Sequence, residues 1–369
     1  MPRLRQSRRR AVIATVAGTA ALATALTFSL GSASGQARGI DWTAVGQAIG
    51  QPLTTEAQNV HTAEWLRTDL HEVNAGVSEN PGMELNAEAS FHQTGPGQAV
   101  MIGETTLRAS EVNTFADRLQ QGGVTITALH KHIQDDTPRI WWMHYWSLGD
   151  PLKIARALHS ALATTSIPLH QKPGIERPIA LNTGALDRVI GSHGENVNGV
   201  WQYHIPVSQP VTDTRAHITL PYLMEASTLL MFQPLGGQRV AVNGDFTMTA
   251  DQVNPVIKAL RSHGLSIVEL HNHMLYEQPR LFYLHFWKAG DATTLAHDLR
   301  AALDQVHAPA VDQARHLNAA VGHRGLRGQL RQRRSVLGQG PVPSLGGAAN
   351  ARPRAAPRRA RWKTSMATV

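Results

Sequence analysis

The sequence predicts an α+β protein made by tandem duplication of a split βαβ, or ferredoxin-like, unit with extra flanking strands. Shifting the sequence by 141 positions aligns residues 103–150 with residues 244–291 without a gap. Roughly a third of the aligned positions are identical, which indicates duplicated domains rather than a solenoid. Each copy also has the order strand, helix, strand, strand, helix, which is typical of an α+β unit.

The second copy shows this order most clearly. Residues 240–248 (VAVNGDFTM) alternate as a strand does, and an apolar stripe from Val253 to Leu260 predicts a helix that ends at Gly264. Two strands joined through a proline follow. The last helix is predicted to begin after Asp291, as its counterpart begins after the capping residue Asp150.

The chain divides into five predicted segments. Five arginines precede an apolar run, and small residues suited to cleavage end at Ala37, as in an export signal. A proline-rich stretch separates the copies, and the last part lacks an apolar period, so we predict that it is disordered. The segments are a signal peptide (1–37), the first α+β repeat (38–166), a linker (167–184), the second α+β repeat (185–307) and a basic tail (308–369).

The basic charge of the chain lies at its ends. The formal net charge is +8, but residues 1–37 hold five arginines and no acid, and residues 311–369 hold twelve basic residues and one acid. The residues between them therefore carry a net charge of −8. A nucleic-acid-binding domain needs its basic charge on the folded part, so we exclude nucleic acid as a partner.

The expected location is outside the cytoplasm: periplasmic, cell-wall associated or secreted. Residues 7–12 (SRRRAV) partly match a twin-arginine signal, and a retained membrane anchor is the alternative to cleavage. No other stretch is long and apolar enough to span a bilayer. The chain has no cysteine, which excludes disulfides, thiolate metal ligands, a cysteine nucleophile and a lipid-modified cysteine.

Matching histidine-rich hairpins are the candidate site. They are residues 266–287 (SIVELHNHMLYEQPRLFYLHFW) and 125–146 (TITALHKHIQDDTPRIWWMHYW). Side chains at i and i+2 of a strand share a face. If the numbers of two residues paired across the hairpin sum to an even number, all three histidines of that hairpin lie on one face. Three neutral imidazoles with an open position suit a divalent metal such as zinc. The predicted ligands are His271, His273 and His285, with His130, His132 and His144 in the first copy.

Other hairpin residues are candidates for chemistry. Glu277 is predicted as a fourth ligand or as the catalytic base beside a metal-bound water, and Arg280 and Trp287 as substrate contacts. Metal-dependent hydrolysis of an unknown small molecule is the matching enzyme class. Two alternatives stay open: a non-catalytic cell-envelope module that binds a small ligand or partner protein through the same face, and a purely structural histidine core. Residues 103–104 and 244–245 are interpreted as turns or bulges.

The second hairpin resembles a known family. LHNHM at 270–274, Glu277, Pro279-Arg280 and LHFW at 284–287 are similar to the LppY/LpqO-type family of exported bacterial proteins of unknown function. The resemblance covers both copies. It implies a location in the cell envelope and supplies no reaction. The first copy departs from the pattern with Lys131 and Asp136, which puts the activity of its site in doubt.

Overall fold

The computed structural model describes residues 39–171 and 177–306. The predicted signal peptide (1–37), residues 172–176 of the predicted linker and the whole predicted basic tail (308–369) lie outside these ranges. Within them, no helix combines the length and apolar character that crossing a membrane requires.

The first repeat contains three helices, nine strands and one short 3₁₀ turn, Ala57–Asn59. Its helices are α1 (Trp42–Ile49), α2 (Val112–Gln121) and α3 (Pro151–Leu162). Its strands are β1 (Thr54–Thr55), β2 (His61–Leu66), β3 (Val73–Asn74), β4 (Val77–Ser78), β5 (Asn86–Gly95), β6 (Gln98–Arg108), β7 (Thr125–His130), β8 (Asp136–Thr137) and β9 (Ile140–Gly149).

The described part of the second repeat also has three helices and nine strands. Its helices are α4 (Thr183–Ile190), α5 (Ala250–Ser262) and α6 (Ala292–Leu303). Its strands are β10 (Glu195–Val197), β11 (Val200–Pro206), β12 (Thr212–Asp213), β13 (Ile218–Thr219), β14 (Ser227–Gly236), β15 (Arg239–Met248), β16 (Ser266–His271), β17 (Glu277–Gln278) and β18 (Phe282–Asp291).

Each repeat is built on one six-stranded antiparallel sheet, so the α+β class is confirmed. The strand orders are β1-β2-β5-β6-β9-β7 and β10-β11-β14-β15-β18-β16. The predicted strand–helix–strand–strand–helix unit corresponds to β6, α2, β7, β9 and α3, with β9 between β6 and β7. Because the sheet continues with β5, β2 and β1, that unit describes only half of it. Helix α3 begins where predicted, with the Asp150 side chain accepting a hydrogen bond from Leu152 N–H.

Two kinds of apolar core hold the molecule together. Helices of each repeat pack on one face of their own sheet, around residues such as Phe115 and Leu158 in the first repeat. The other sheet faces meet between the repeats, where one cluster joins Val100 to Met274 and another joins Met83 to Trp287. The hairpins are therefore held at the contact between the two sheets.

A β-bulge sets the register of each histidine strand. Ile267 pairs with Phe286, but after an irregularity Leu270 pairs with Leu284 and His271 with Tyr283. The numbers of two paired residues therefore sum to an odd number before the irregularity and to an even number after it. The first repeat makes the same shift between Ile126 and Ala128. Since a one-residue shift reverses the face of every following side chain, the bulge is what brings the histidines onto one face.

The interpretation of residues 103–104 and 244–245 as turns or bulges was wrong. Both pairs lie inside long strands, β6 and β15. A Cβ added to Gly103 would lie 2.2 Å from the carbonyl oxygen of Glu88, and one on Gly244 would lie 2.1 Å from that of Leu229. Only glycine permits this close approach of the neighbouring strand.

Candidate metal centre

The structure brings all six predicted histidines together between the repeats. His130, His132, His144 and His285 are at most 1% exposed, and His273 is 5% exposed. His130 and His271 are the last residues of β7 and β16, and His144 and His285 lie within β9 and β18. His132 and His273 lie just beyond the ends of β7 and β16. The two hairpins therefore do not form two separate sites. They contribute to one buried cluster.

The imidazoles meet across an approximate two-fold relation between the repeats. His130 stacks on its own counterpart, His271, with ring centroids 3.7 Å apart. The His132–His285 centroid distance is 3.8 Å, and the corresponding His144–His273 distance is 3.9 Å. Because His132 corresponds to His273 and His144 to His285 at the repeat spacing of 141, the last two contacts are counterparts of each other.

One group of four histidines is suited to an ion. His130, His271, His273 and His285 each offer a nitrogen, and these nitrogens lie within 4.8 Å of one another. The Nε2 atoms of His130 and His285 are 3.2 Å apart, and those of His271 and His273 are 2.8 Å apart. Two nitrogens bound tetrahedrally to one zinc stand about 3.3 Å apart, given Zn–N bonds of about 2.0–2.1 Å. Three of these ligands come from the second repeat and one from the first.

Two smaller groups share residues with that one. His130, His132 and His144 form the first, and His144, Glu225 and His273 form the second. Every pair of groups has one residue in common. An ion bound in one group therefore takes a ligand from each of the others.

Neighbouring oxygens orient two of the rings. His285 Nδ1 lies 2.9 Å from the carbonyl oxygen of Gly244, which can only accept a hydrogen bond. That nitrogen must carry the proton, so the lone pair of His285 is on Nε2, the atom that faces the cluster. His273 Nδ1 lies 2.6 Å from Glu225 Oε2. Such partners fix the tautomer and orientation of metal-binding histidines.

Four carboxylates that the sequence reasoning did not select face the imidazoles. Asp245 Oδ2 lies 3.1 Å from His273 Nε2 and 4.0 Å from His285 Nε2. In the first repeat, Glu104 Oε2 lies 3.2 Å from His144 Nε2. The other two carboxylates are Glu84, 3.3 Å from His132 Nδ1, and Glu225, 3.3 Å from His144 Nδ1.

The spacing of the repeats was the signal that could have identified these acids. Glu84 and Glu225 differ by 141 positions, as do Glu104 and Asp245. At each of these two positions, both copies therefore have an acidic residue. Glu104 and Asp245 also lie directly opposite His144 and His285 on the paired strands.

Burial disfavours the charged form of most of these side chains. Burial and the neighbouring imidazoles lower the pKa of His130, His132, His271 and His285, and lower that of His273 to about 4. These five imidazoles are accordingly neutral, which is the form that binds metals. Burial, with the repulsion of nearby acids, raises the pKa of Glu84 to about 8 and places those of Glu104 and Asp245 well above their usual range.

Several polar atoms of the cluster are buried without a hydrogen bond. Among the described residues, both ring nitrogens of His132 and His144 lie within 4.0 Å of a carboxylate oxygen but form no hydrogen bond of good geometry, and the Oδ1 atom of Asp245 has no hydrogen-bond partner. Leaving such groups unpaired costs about 1–3 kcal/mol each. A cation bound among them would supply the missing interaction, so these atoms fit a metal ion.

The remaining predicted residues lie elsewhere. Glu277 is in the small sheet β13-β12-β17, where its Oε1 accepts hydrogen bonds from Arg280 Nη1 (2.8 Å) and Leu281 N–H (3.3 Å). Arg280 also donates to the carbonyl oxygens of Met274 and Leu275. Trp287 packs in the apolar cluster that contains Met83. The structure therefore does not bring these three side chains into the histidine cluster, and their catalytic and substrate-binding roles stay predictions.

A family profile described as Domain of Unknown Function (DUF1259) matches residues 43–164 and 184–305. The chain belongs to this family. The two matches confirm the tandem duplication, and each contains one of the histidine hairpins. No curated protein matches the sequence of this DUF1259 protein.

Solved structures give no further guidance. The trimeric bacterial microcompartment shell protein PduB is 11% identical, covering 68% of this chain and 91% of that one, with a TM-score of 0.18. A protein of unknown function from Galdieria sulphuraria is 13% identical (57% and 91% covered, TM-score 0.16). EtuB from Clostridium kluyveri is 11% identical (69% and 92% covered, TM-score 0.16). TM-scores this low support no conclusion about fold or function.

Proposed function

We propose that this DUF1259 protein binds a divalent transition-metal ion, with zinc as the best match, in a centre shared by its two repeats. The observation that carries this proposal is the convergence of nitrogens from His130, His271, His273 and His285. Imidazole ligands in tetrahedral spacing are typical of zinc, and burial keeps them neutral and ready to bind.

We infer that one ion is held tightly per chain, rather than one per repeat. The four-histidine group shares His130 with one smaller group and His273 with the other. An ion bound in the four-histidine group therefore leaves only two unused ligands in each smaller group. Because a structural zinc site needs four ligands and a catalytic site three, a second ion would bind far more weakly.

Elemental analysis after zinc loading and gel filtration tests this proposal. We expect about one zinc per chain in the wild type and none in the double variant His271→Ala, His273→Ala. Exposed His297 on α6 provides the matched control, since His297→Ala removes an imidazole outside the cluster. A folded wild type without zinc would exclude metal binding, and two tightly held ions per chain would exclude the shared single site.

Metal-dependent hydrolysis is the enzyme class that matches this centre if only three of the four histidines bind the ion, because four imidazole ligands would leave a tetrahedral zinc ion no position for water. A bound zinc ion lowers the pKa of a coordinated water and so provides a nucleophile at neutral pH. Glu84, with its raised pKa of about 8, lies beside His132 and could hold or release a proton at the edge of the cluster. This assignment gives Glu84 the general-base role that the sequence suggested for Glu277.

A non-catalytic metal-binding module of the cell envelope is the second candidate. The cavity next to the cluster has a volume of only about 70 Å³, enough for a few water molecules but not for a bulky substrate. An envelope location follows from the predicted export signal and the resemblance to the LppY/LpqO-type proteins. Turnover of small esters or phosphoesters by the zinc-loaded protein, absent in Glu84→Gln, would favour the enzyme over the module.

Zinc binding at pH 7 is expected to release at least about one proton per ion. The raised pKa of Glu84, about 8, means that this carboxyl is protonated at pH 7 in the metal-free protein, and the pKa values of Glu104 and Asp245 are raised in the same direction. A bound cation favours their ionised forms, so binding tightens as pH rises towards 8 and weakens as it falls. Calorimetric titrations in buffers of different ionisation enthalpy measure the release. Binding without proton release at pH 7 would contradict the assigned protonation states.

A further inference from the structure

A row of acidic side chains crosses the first sheet and ends at the histidine cluster. Glu64 on β2 is directly opposite Glu88 on β5, Glu88 is opposite Glu104 on β6, and Glu104 is opposite His144 on β9. Directly opposite residues in antiparallel strands share a face and stand about 5 Å apart. The row therefore proceeds in short steps from the exposed Glu64, past the half-buried Glu88, to the buried Glu104.

This arrangement is unfavourable without a cation. Like charges directly opposite each other destabilise a sheet. Glu64 accepts a hydrogen bond from Asn86 and Glu88 accepts one from Ser90, and among the described residues neither carboxylate pairs with lysine or arginine. The fold thus keeps three neighbouring acids without a basic partner, and a cation among them would favour their ionised forms.

The second repeat has no such row. The residues at the corresponding sheet positions are His204, Leu229 and Asp245, followed by His285. Leu229 is the counterpart of Glu88 at the repeat spacing of 141. The row is consequently a property of one side of the centre and not a general requirement of the fold.

The row leads into the small cavity beside the cluster. Glu88 and Glu104 border this cavity together with His132, Glu225 and Asp245. Asp245 is 5% exposed and His132 is 1% exposed, and Asp245 Oδ1 and both nitrogens of His132 lack hydrogen-bond partners in the described part of the chain. Buried, unpartnered ligand atoms around a cavity point to a bound species, and its carboxylate rim selects a cation.

We propose that Glu64, Glu88 and Glu104 form the access route along which the divalent cation reaches the shared centre. The inference rests on the proposed metal binding. Because the bound ion takes its ligands from the protein, it must exchange water for protein atoms as it moves inward through the cavity. Carboxylates at about 5 Å intervals offer those oxygens one after another.

Glu88→Gln is the test, with Zn²⁺ alone as the probe and stopped-flow measurement of association at low ionic strength. We expect the association rate to fall about tenfold, because Glu88 can ionise and offer the entering cation a carboxylate ligand, which glutamine cannot. Since a route accelerates entrance and exit equally, chelator-driven dissociation should slow by the same factor, leaving Kd nearly unchanged. Raised salt should reduce the difference between variant and wild type.

Two further variants make the result decisive. Glu88→Leu places the residue of the second repeat at this position and should slow both rates as Glu88→Gln does. Glu79→Gln removes a buried acid that is outside the row and should change neither rate. Unchanged association in both Glu88 variants, or faster dissociation with weaker Kd, would overturn the route while leaving metal binding intact. A wild type that binds no Zn²⁺ would instead overturn the proposed function.

Discussion

Replacing His130 by alanine is expected to weaken zinc binding by at least about 100-fold, because loss of orienting partners alone costs about 10–100-fold and His130 is a ligand itself. His130 belongs to the first repeat, whereas the other three ligands of its group belong to the second. Its Nε2 stands 3.2 Å from that of His285. Competition with a fluorescent zinc chelator at pH 7.5 measures the change in Kd.

His132→Ala is the matched comparison within the cluster. His132 is equally buried but lies outside the four-histidine group, so its loss should weaken binding by less than about tenfold. Replacing the exposed His297 by alanine should leave Kd unchanged. An unchanged Kd in His130→Ala would mean that the second repeat binds zinc by itself and that the shared centre is wrong.

Removal of the ion is expected to lower the melting temperature by about 5–10 °C. An ion present at 100 times its Kd stabilises the folded state by about 2.7 kcal/mol. For folded parts of about 150–250 residues, 1 kcal/mol corresponds to about 2–4 °C. Calorimetry with zinc buffered at 100 times Kd, and then with excess chelator, measures the difference.

The His130→Ala variant controls for effects of the chelator itself. Because its affinity is expected to be reduced, the same zinc concentration should stabilise it by only a small fraction of the wild-type shift. An equal shift in wild type and His130→Ala would show that zinc stabilises the fold from some other position. No shift in the wild type would contradict a structural contribution of the ion.

Sequence periodicity could predict the elements of the site but not their assembly. The duplication, the strands around Val240 and His285, and the caps at Asp150 and Asp291 follow from local patterns. The register of the histidine strands depends on a bulge, which alternation does not reveal. Docking of one repeat on the other depends on surface complementarity, so the expectation of one site per hairpin missed the joint cluster.

Sequence patterns were also insufficient to identify the acidic residues beside the histidines. Glu277 is near the histidines in sequence, but the chain leaves the sheet after His271 and pairs Glu277 with Asp213 in a separate small sheet. Asp245 is distant in sequence, yet strand pairing sets it opposite His285. Sequence proximity favoured Glu277, which lies in the small sheet, whereas pairing with the neighbouring strand places Glu104 and Asp245 beside the imidazoles.

The reciprocal ring contacts of His132 with His285 and of His144 with His273 form the contact pattern of an isologous dimer. A protein with a single repeat could build an equivalent cluster by pairing with a second copy of itself. Joining both halves in one polypeptide makes the cluster independent of protein concentration. It also allows the halves to specialise, as Glu88 and its counterpart Leu229 have done, which identical subunits could not do.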